Sequence, residues 1–248
     1  MENELRPFWN RIFTFNWKFG LLLILLICLP RFILVLQANS SGSYGSIGVI
    51  MVISAIAPFI FLCKYGRQQT GITKPQKYRW LFIAFASGVG ASMLLYFLGE
   101  ILYGSSFENW YVYIAKSYKI PPGIDSHSKA ILFSVMALTG MTFSPIGEEL
   151  FFRGIVQASF AKSIGEKRAG TVEGSAFALT HISHFGLVFI NDQWSFLFGP
   201  ALIWVGSMFL VSKLFLIVKR FSGSILGAII CHAGFNLGMI GCIFYGLF

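Results

Sequence analysis

"SPIGEELFFRG", residues 144–154, sets Glu148, Glu149 and Arg153 into an otherwise apolar chain. Of the 248 residues, 56% are hydrophobic, 12% are charged and 27 are Phe. The mean hydropathy is +0.71. Soluble domains carry roughly 25% charged residues, so this composition belongs to a polytopic membrane protein. The fold class expected is an all-α bundle of about seven to eight membrane helices, a single domain over 1–248 with its polar core in 130–248. The net charge of +9 does not point to nucleic acid, because the 19 Lys and Arg fall in short clusters between apolar runs and leave no basic face. Cys28, Cys63, Cys231 and Cys242 all lie within apolar runs and read as buried small hydrophobes.

Seven runs approach the roughly 20 apolar residues that cross a bilayer: about 17–36, 47–63, 80–99, 130–147, 174–190, 195–217 and 223–247. Pro30 and Arg31 interrupt the first, as a kink or as a snorkelling residue near its outer end. Basic residues alternate between loops. They precede the first run (Arg6, Arg11, Lys18) and follow the second (Lys64, Arg67, Lys74, Lys77, Arg79), fourth (Lys162, Lys167, Arg168) and sixth (Lys219, Arg220). The positive-inside rule then puts the N-terminus in the cytoplasm, and compact loops with no eukaryotic targeting signal point to a bacterial plasma membrane. The loop over 101–129, with "ENWYVYIAKSYKIPPG", reads as an aromatic interfacial segment, with room for a further partial membrane element.

An ionisable residue inside a span costs a few kcal/mol by insertion scales and marks a functional hypothesis. Glu149 and Arg153, at i and i+4, share a helix face and can neutralise each other. Glu148 is turned about 100° away and must find its partner across the bundle, the setting of a general base. Phe177 with His181, and His232 with Asn236, are further pairs one turn apart. Counted at 1.5 Å per residue from the basic ends of their runs, His181 lies at about 10 Å, His232 and Arg153 at about 13 Å and Glu149 at about 20 Å. Separate segments thus bring polar groups to a similar level, in the half of the bilayer nearer the basic loops. His184, a turn beyond His181, reads as a supporting or loop-facing residue. Gly223, Gly227, Gly234 and Gly238, with Gly147 and Gly154, read as sites of close helix packing, and Pro145 as a kink.

"EELFFR", "FALTH" and "HAGFN" give E-E-x-x-x-R, F-x-x-x-H and H-x-x-x-N in that order over residues 148–236. In this the chain resembles the CPBP family of intramembrane proteases (CAAX proteases and bacteriocin-processing enzymes, also called the Abi family). The resemblance implies a glutamate-dependent endopeptidase: Glu148 as general base, His181 holding the attacking water, and His232 with Asn236 stabilising the oxyanion. It implies structural roles for Glu149, Arg153 and Phe177. No cofactor beyond the catalytic water is expected, and the substrate is a membrane-associated or lipidated peptide entering from the bilayer or the cytoplasmic side.

Two other readings stand beside it. A zinc protease would use Glu148, His181 and His232, although there is no H-E-x-x-H and adjacent glutamates point to different faces. A non-catalytic membrane binding or immunity protein could keep every motif. A transporter should show internal repeats, and none is apparent.

Overall fold

The computed structural model describes residues 3–247. Its helices are α1 (Pro7–Asn10), α2 (Trp17–Ser41), α3 (Gly45–Phe61), α4 (Lys64–Gln69), α5 (Arg79–Tyr103), α6 (Trp110–Ala115), α7 (Ser126–Glu149), α8 (Gln157–Thr180), α9 (Phe198–Ser222) and α10 (Ile225–Cys242). A π-helical stretch, Leu150–Val156, joins α7 to α8 without a break. Polar caps define several starts. Asn16, Asp125 and Ser224 accept the first free backbone N–H groups of α2, α7 and α10. Gly42 and Gly223, both at φ 70°, end α2 and α9 in the left-handed conformation that glycine adopts without a Cβ penalty.

Among the described residues, five helical segments are long and apolar enough to cross a membrane: Trp17–Ser41, Arg79–Tyr103, Ser126–Ser183, Phe198–Ser222 and Ile225–Leu247. The protein is a multi-pass, all-α membrane protein, but the expected seven to eight spans are not met in these terms. The run 130–147 and the first ten residues of 174–190 lie on one segment, Ser126–Ser183, and 47–63 gives the 17-residue α3. Within α8, Gly165 (φ 78°, ψ 159°) breaks the helix, so the part carrying His181 begins there rather than at 174. His181 is 16 residues beyond that break, about 24 Å of helix rather than the expected 10 Å. Glu148 is 17 residues before it, so one glycine sets both residues at matching distances along the two limbs.

Three further expectations change. Residues 187–190 are not helical. Leu187–Ile190 and Gln193–Phe196 pair antiparallel as β1 and β2, with Leu187 opposite Phe196, around Asn191 and Asp192 at φ 50° and 60°. Positive φ at both central residues is the type I′ turn that suits strand twist. The 101–129 loop is not merely interfacial either, because α6 is buried in the bundle: Trp110 donates to the Leu95 carbonyl at 3.1 Å and stacks on Trp204, and Tyr111 bonds Ser92. Cys63 is half-buried and caps α4 rather than filling the core.

Helix α10 is the central rod, against α5, α7 and α9. Its approach to α5 is close because both contribute glycine: a Cβ on Gly88 would collide with the Cys231 carbonyl, and one on Gly234 with the Phe85 carbonyl. Gly147 is likewise pressed on the Met51 backbone of α3, and Gly227 on α9. Gly154 has no such neighbour, only the carbonyl of Glu149 at 3.6 Å, so it is not a packing glycine. The basic segments gather at one end. Glu4 pairs with Lys162, Arg6 N–H bonds the Phe61 carbonyl, Glu166 pairs with Arg220, and Gln76 N–H bonds Ser222.

Gly234→Leu is expected to destabilise the protein by about 3 kcal/mol through forced separation of α5 and α10. Gly90→Ala, on the open side of α5 where nothing lies within 4 Å, is expected to be neutral or stabilising by up to about 1 kcal/mol. Denaturant or thermal unfolding of the two variants in the same detergent checks the contrast.

Candidate active site

Two carboxylates end α7, and each finds a different cation. Glu148 is 2% exposed and meets Arg31 of α2, whose Nη2 donates to Oε1 at 2.9 Å. Ser144, one turn earlier, donates to the same oxygen. Arg31 is therefore neither a lipid-facing snorkel nor a helix-breaking accident: at 3% exposure it is the counter-ion of Glu148. Its Nη2 also makes a long contact, 3.5 Å, with Nε2 of His184.

Glu149 keeps the expected bond to Arg153, at 3.1 Å, and its Oε1 also accepts from Nδ1 of His232 at 2.7 Å. Arg153 is fully buried on the π-helical stretch and forms a second ion pair, Nε to Oε1 of Glu173, at 3.0 Å. The flat face of its guanidinium lies over Phe177 at 4.2 Å and Phe215 at 5.1 Å. Lys219 donates to the Arg153 carbonyl. Glu148 is thus matched by Arg31, while Glu149 and Glu173 share Arg153, and buried charges persist when paired in this way.

His181 closes the arrangement. Its Nδ1 lies 2.7 Å from the carbonyl of Phe177, which can only accept, so Nδ1 carries the proton. In the neutral ring Nε2 is then an acceptor, 3.8 Å from Oε2 of Glu148. That Oε2 is buried with no hydrogen-bond partner among the described residues. Two acceptors at this distance are close enough to share one hydrogen-bond donor. The His181 backbone is fixed by Trp204, whose Nε1 donates to its carbonyl at 3.1 Å, and the ring stacks obliquely on Phe177 at 4.3 Å. A cavity of about 100 Å³, lined by His184, Asn39, Tyr44, Lys116 and Lys119, lies next to this centre.

Asn236 donates to the Gly140 carbonyl of α7 at 2.8 Å, with a second amide N–H left over. His232 lies between Phe215, stacked at 4.7 Å, and Glu149, so it belongs to the Glu149 side of the site and not to Glu148 directly. This separates the set Glu148, His181 and His232 that a zinc ion would need. Among the described residues no group of three or more His, Cys, Asp or Glu is arranged to hold a metal.

Residues 130–238 match the family model described as type II CAAX prenyl endopeptidase Rce1-like. This segment is similar to that family. The match contains all three sequence motifs, and the family it describes is a CPBP group of membrane endopeptidases. No curated protein and no solved structure gives a match to the chain. The Rce1-like segment supplies Glu148, Glu149, Arg153, Glu173, Phe177, His181, His232 and Asn236, whereas Arg31 comes from outside it.

Arg31, Glu173 and Ser144 escape the motif reading. Glu173 had a signal: 173, 177 and 181 recur every four residues on one helix face, but a helix begun at 174 leaves it in a loop. Arg31 had one too, as the one cation inside a 25-residue apolar helix whose only other cation, Lys18, lies in its first turn.

Arg31→Met is expected to destabilise the protein by about 3–5 kcal/mol, since it strands a buried carboxylate. Arg31→Met with Glu148→Met removes both charges and is expected to recover most of that loss. Unfolding midpoints of the single and double variants in detergent give the comparison, and equal destabilisation by both would mean the pair is not the stabilising contact.

Proposed function

We propose that this protein is an intramembrane endopeptidase in which Glu148 activates water for attack on a peptide carbonyl. The observation that carries the reading is the gap between Oε2 of Glu148 and Nε2 of His181, two buried acceptors 3.8 Å apart. A water held there donates one O–H to each and turns a lone pair toward the substrate. Glu148 takes the proton as the oxygen attacks, and returns it to the leaving amine when the tetrahedral intermediate collapses. His181 positions the water, its tautomer set by Phe177. Arg31 is a positioning residue: it holds Oε1, with Ser144, so that Oε2 is the oxygen presented to water.

His232 and Asn236 are proposed as the oxyanion pair. Glu149 fixes the His232 ring through Nδ1, and Asn236 keeps one amide N–H beyond the bond to Gly140. Such preorganised donors act strongly where water is excluded. Glu149, Arg153, Glu173 and Phe177 form the rigid ionic and aromatic floor. The substrate is a peptide or lipidated protein tail held in the bilayer, in keeping with the family description of the matched segment. Gathering of the basic segments at one end supports a cytoplasmic N-terminus in a bacterial plasma membrane. No metal is needed for these steps.

Glu148→Gln keeps the acceptor for Arg31 but cannot take a proton, and is expected to lower cleavage by at least about 1,000-fold. Membranes containing the wild-type protein should yield peptides that membranes containing Glu148→Gln lack. Identical peptidomes would overturn catalysis in favour of a binding-only role. Activity of the purified protein should persist after exhaustive treatment with a strong chelator, whereas its loss and restoration by zinc would replace this mechanism with a metal one.

Removing one oxyanion donor, as in Asn236→Leu, is expected to lower kcat by about 100-fold or more with little change in KM. Steady-state kinetics on a peptide identified in the first experiment measures this.

A further inference from the structure

Between α8 and α9, at the basic end of the bundle, lies a groove of about 850 Å³ that is separate from the carboxylate site. Its walls are apolar, with Val172 on α8 and Leu216 and Ile217 on α9, and four cations border it: Lys167, Arg168, Lys213 and Arg220. Only Arg220 has a carboxylate partner among the described residues, Glu166 at 3.4 Å. Lys213 lies nine residues before the end of α9, about 13 Å inside the helix, and its ammonium turns to the Gly170 carbonyl and Thr171 hydroxyl of α8 at 2.7 and 3.2 Å. The four cations thus border one groove, and no acid is among the residues that line it.

We infer that this groove binds an anionic phospholipid, with the phosphate head on Lys167, Arg168 and Arg220 and an acyl chain along the apolar wall. Charge complementarity selects the head group, since a zwitterionic lipid brings a choline that would be repelled by the same cations. The apolar walls select a lipid over a free phosphate. The position fits as well. Lys167 and Arg168 open the helical limb after Gly165, at the end where the other basic segments lie and where lipid head groups sit, while Lys213 reaches the groove from deeper along α9. Basic pockets between membrane helices recognise acidic head groups in this way.

The test is lipid retention by native mass spectrometry of the full chain released from micelles doped with phosphatidylglycerol or phosphatidylcholine. The wild type should retain phosphatidylglycerol selectively. Lys167→Gln with Arg168→Gln, both exposed and outside the carboxylate site, should reduce its apparent affinity by about 30-fold. Lys74→Gln with Lys77→Gln changes the net charge equally at the same end of the molecule but at residues that do not line the groove, and should retain the lipid. Equal retention of the two lipids by the wild type would overturn the inference. So would equal loss in both double variants, which would indicate diffuse surface charge, or displacement of the lipid by glycerol 3-phosphate at matched concentration, which would indicate a phosphate site alone.

Discussion

A carboxylate in the middle of an apolar bundle requires a cation, and the position of that cation constrains everything around it. Glu148 has Arg31, Glu149 has Arg153, and Arg153 is shared with Glu173. Desolvating ions of this kind costs several kcal/mol each, which only close pairing and hydrogen bonding offset. Three helical segments must therefore keep their register to within a side chain's reach. The glycines that press α10 on α5 and α7 on α3 serve that end, because backbone in contact with backbone leaves little room to slide.

The two ion pairs differ in what they leave free. Around Arg153 the contacts are dense: two carboxylates, two aromatic faces and a lysine on its carbonyl. Around Glu148 one oxygen is saturated and the other is bare. Rigidity is concentrated beside the place where chemistry is proposed, and the π-helical stretch carries it. Such an i→i+5 stretch widens a helix and often marks functional positions.

Legibility in the sequence followed interaction range. The Glu149–Arg153 bond is local, four residues apart on one helix, and helical spacing alone reveals it. The all-helical membrane class follows from hydropathy, which needs no tertiary information. Partners from distant helices were hidden for the opposite reason: nothing in "LPRF" says that Arg31 reaches Glu148, 117 residues away. Span boundaries failed where apolar runs bridge a backbone event. Gly165 sits in a polar stretch that looks like an ordinary loop, yet the chain stays helical on both sides of it. "LVFI" is as apolar as the helices, but its β-branched and aromatic residues pair with "QWSF" across Asn-Asp and make a hairpin. His232 stood out in the sequence as a candidate from its motif, but its attachment to Glu149 rather than Glu148 depended on how α10 is rotated.

The Arg31–Glu148 contact also crosses a boundary of inheritance. The acid lies within the segment shared with the Rce1-like family and the base lies before it, on a helix that the family description does not cover. Proteins that share only the matched segment need not have solved the burial of this acid in the same way. Exchange of N-terminal helices between relatives is thus an exchange of counter-ions, and compatibility rests on whether a positive charge arrives at the height of Glu148.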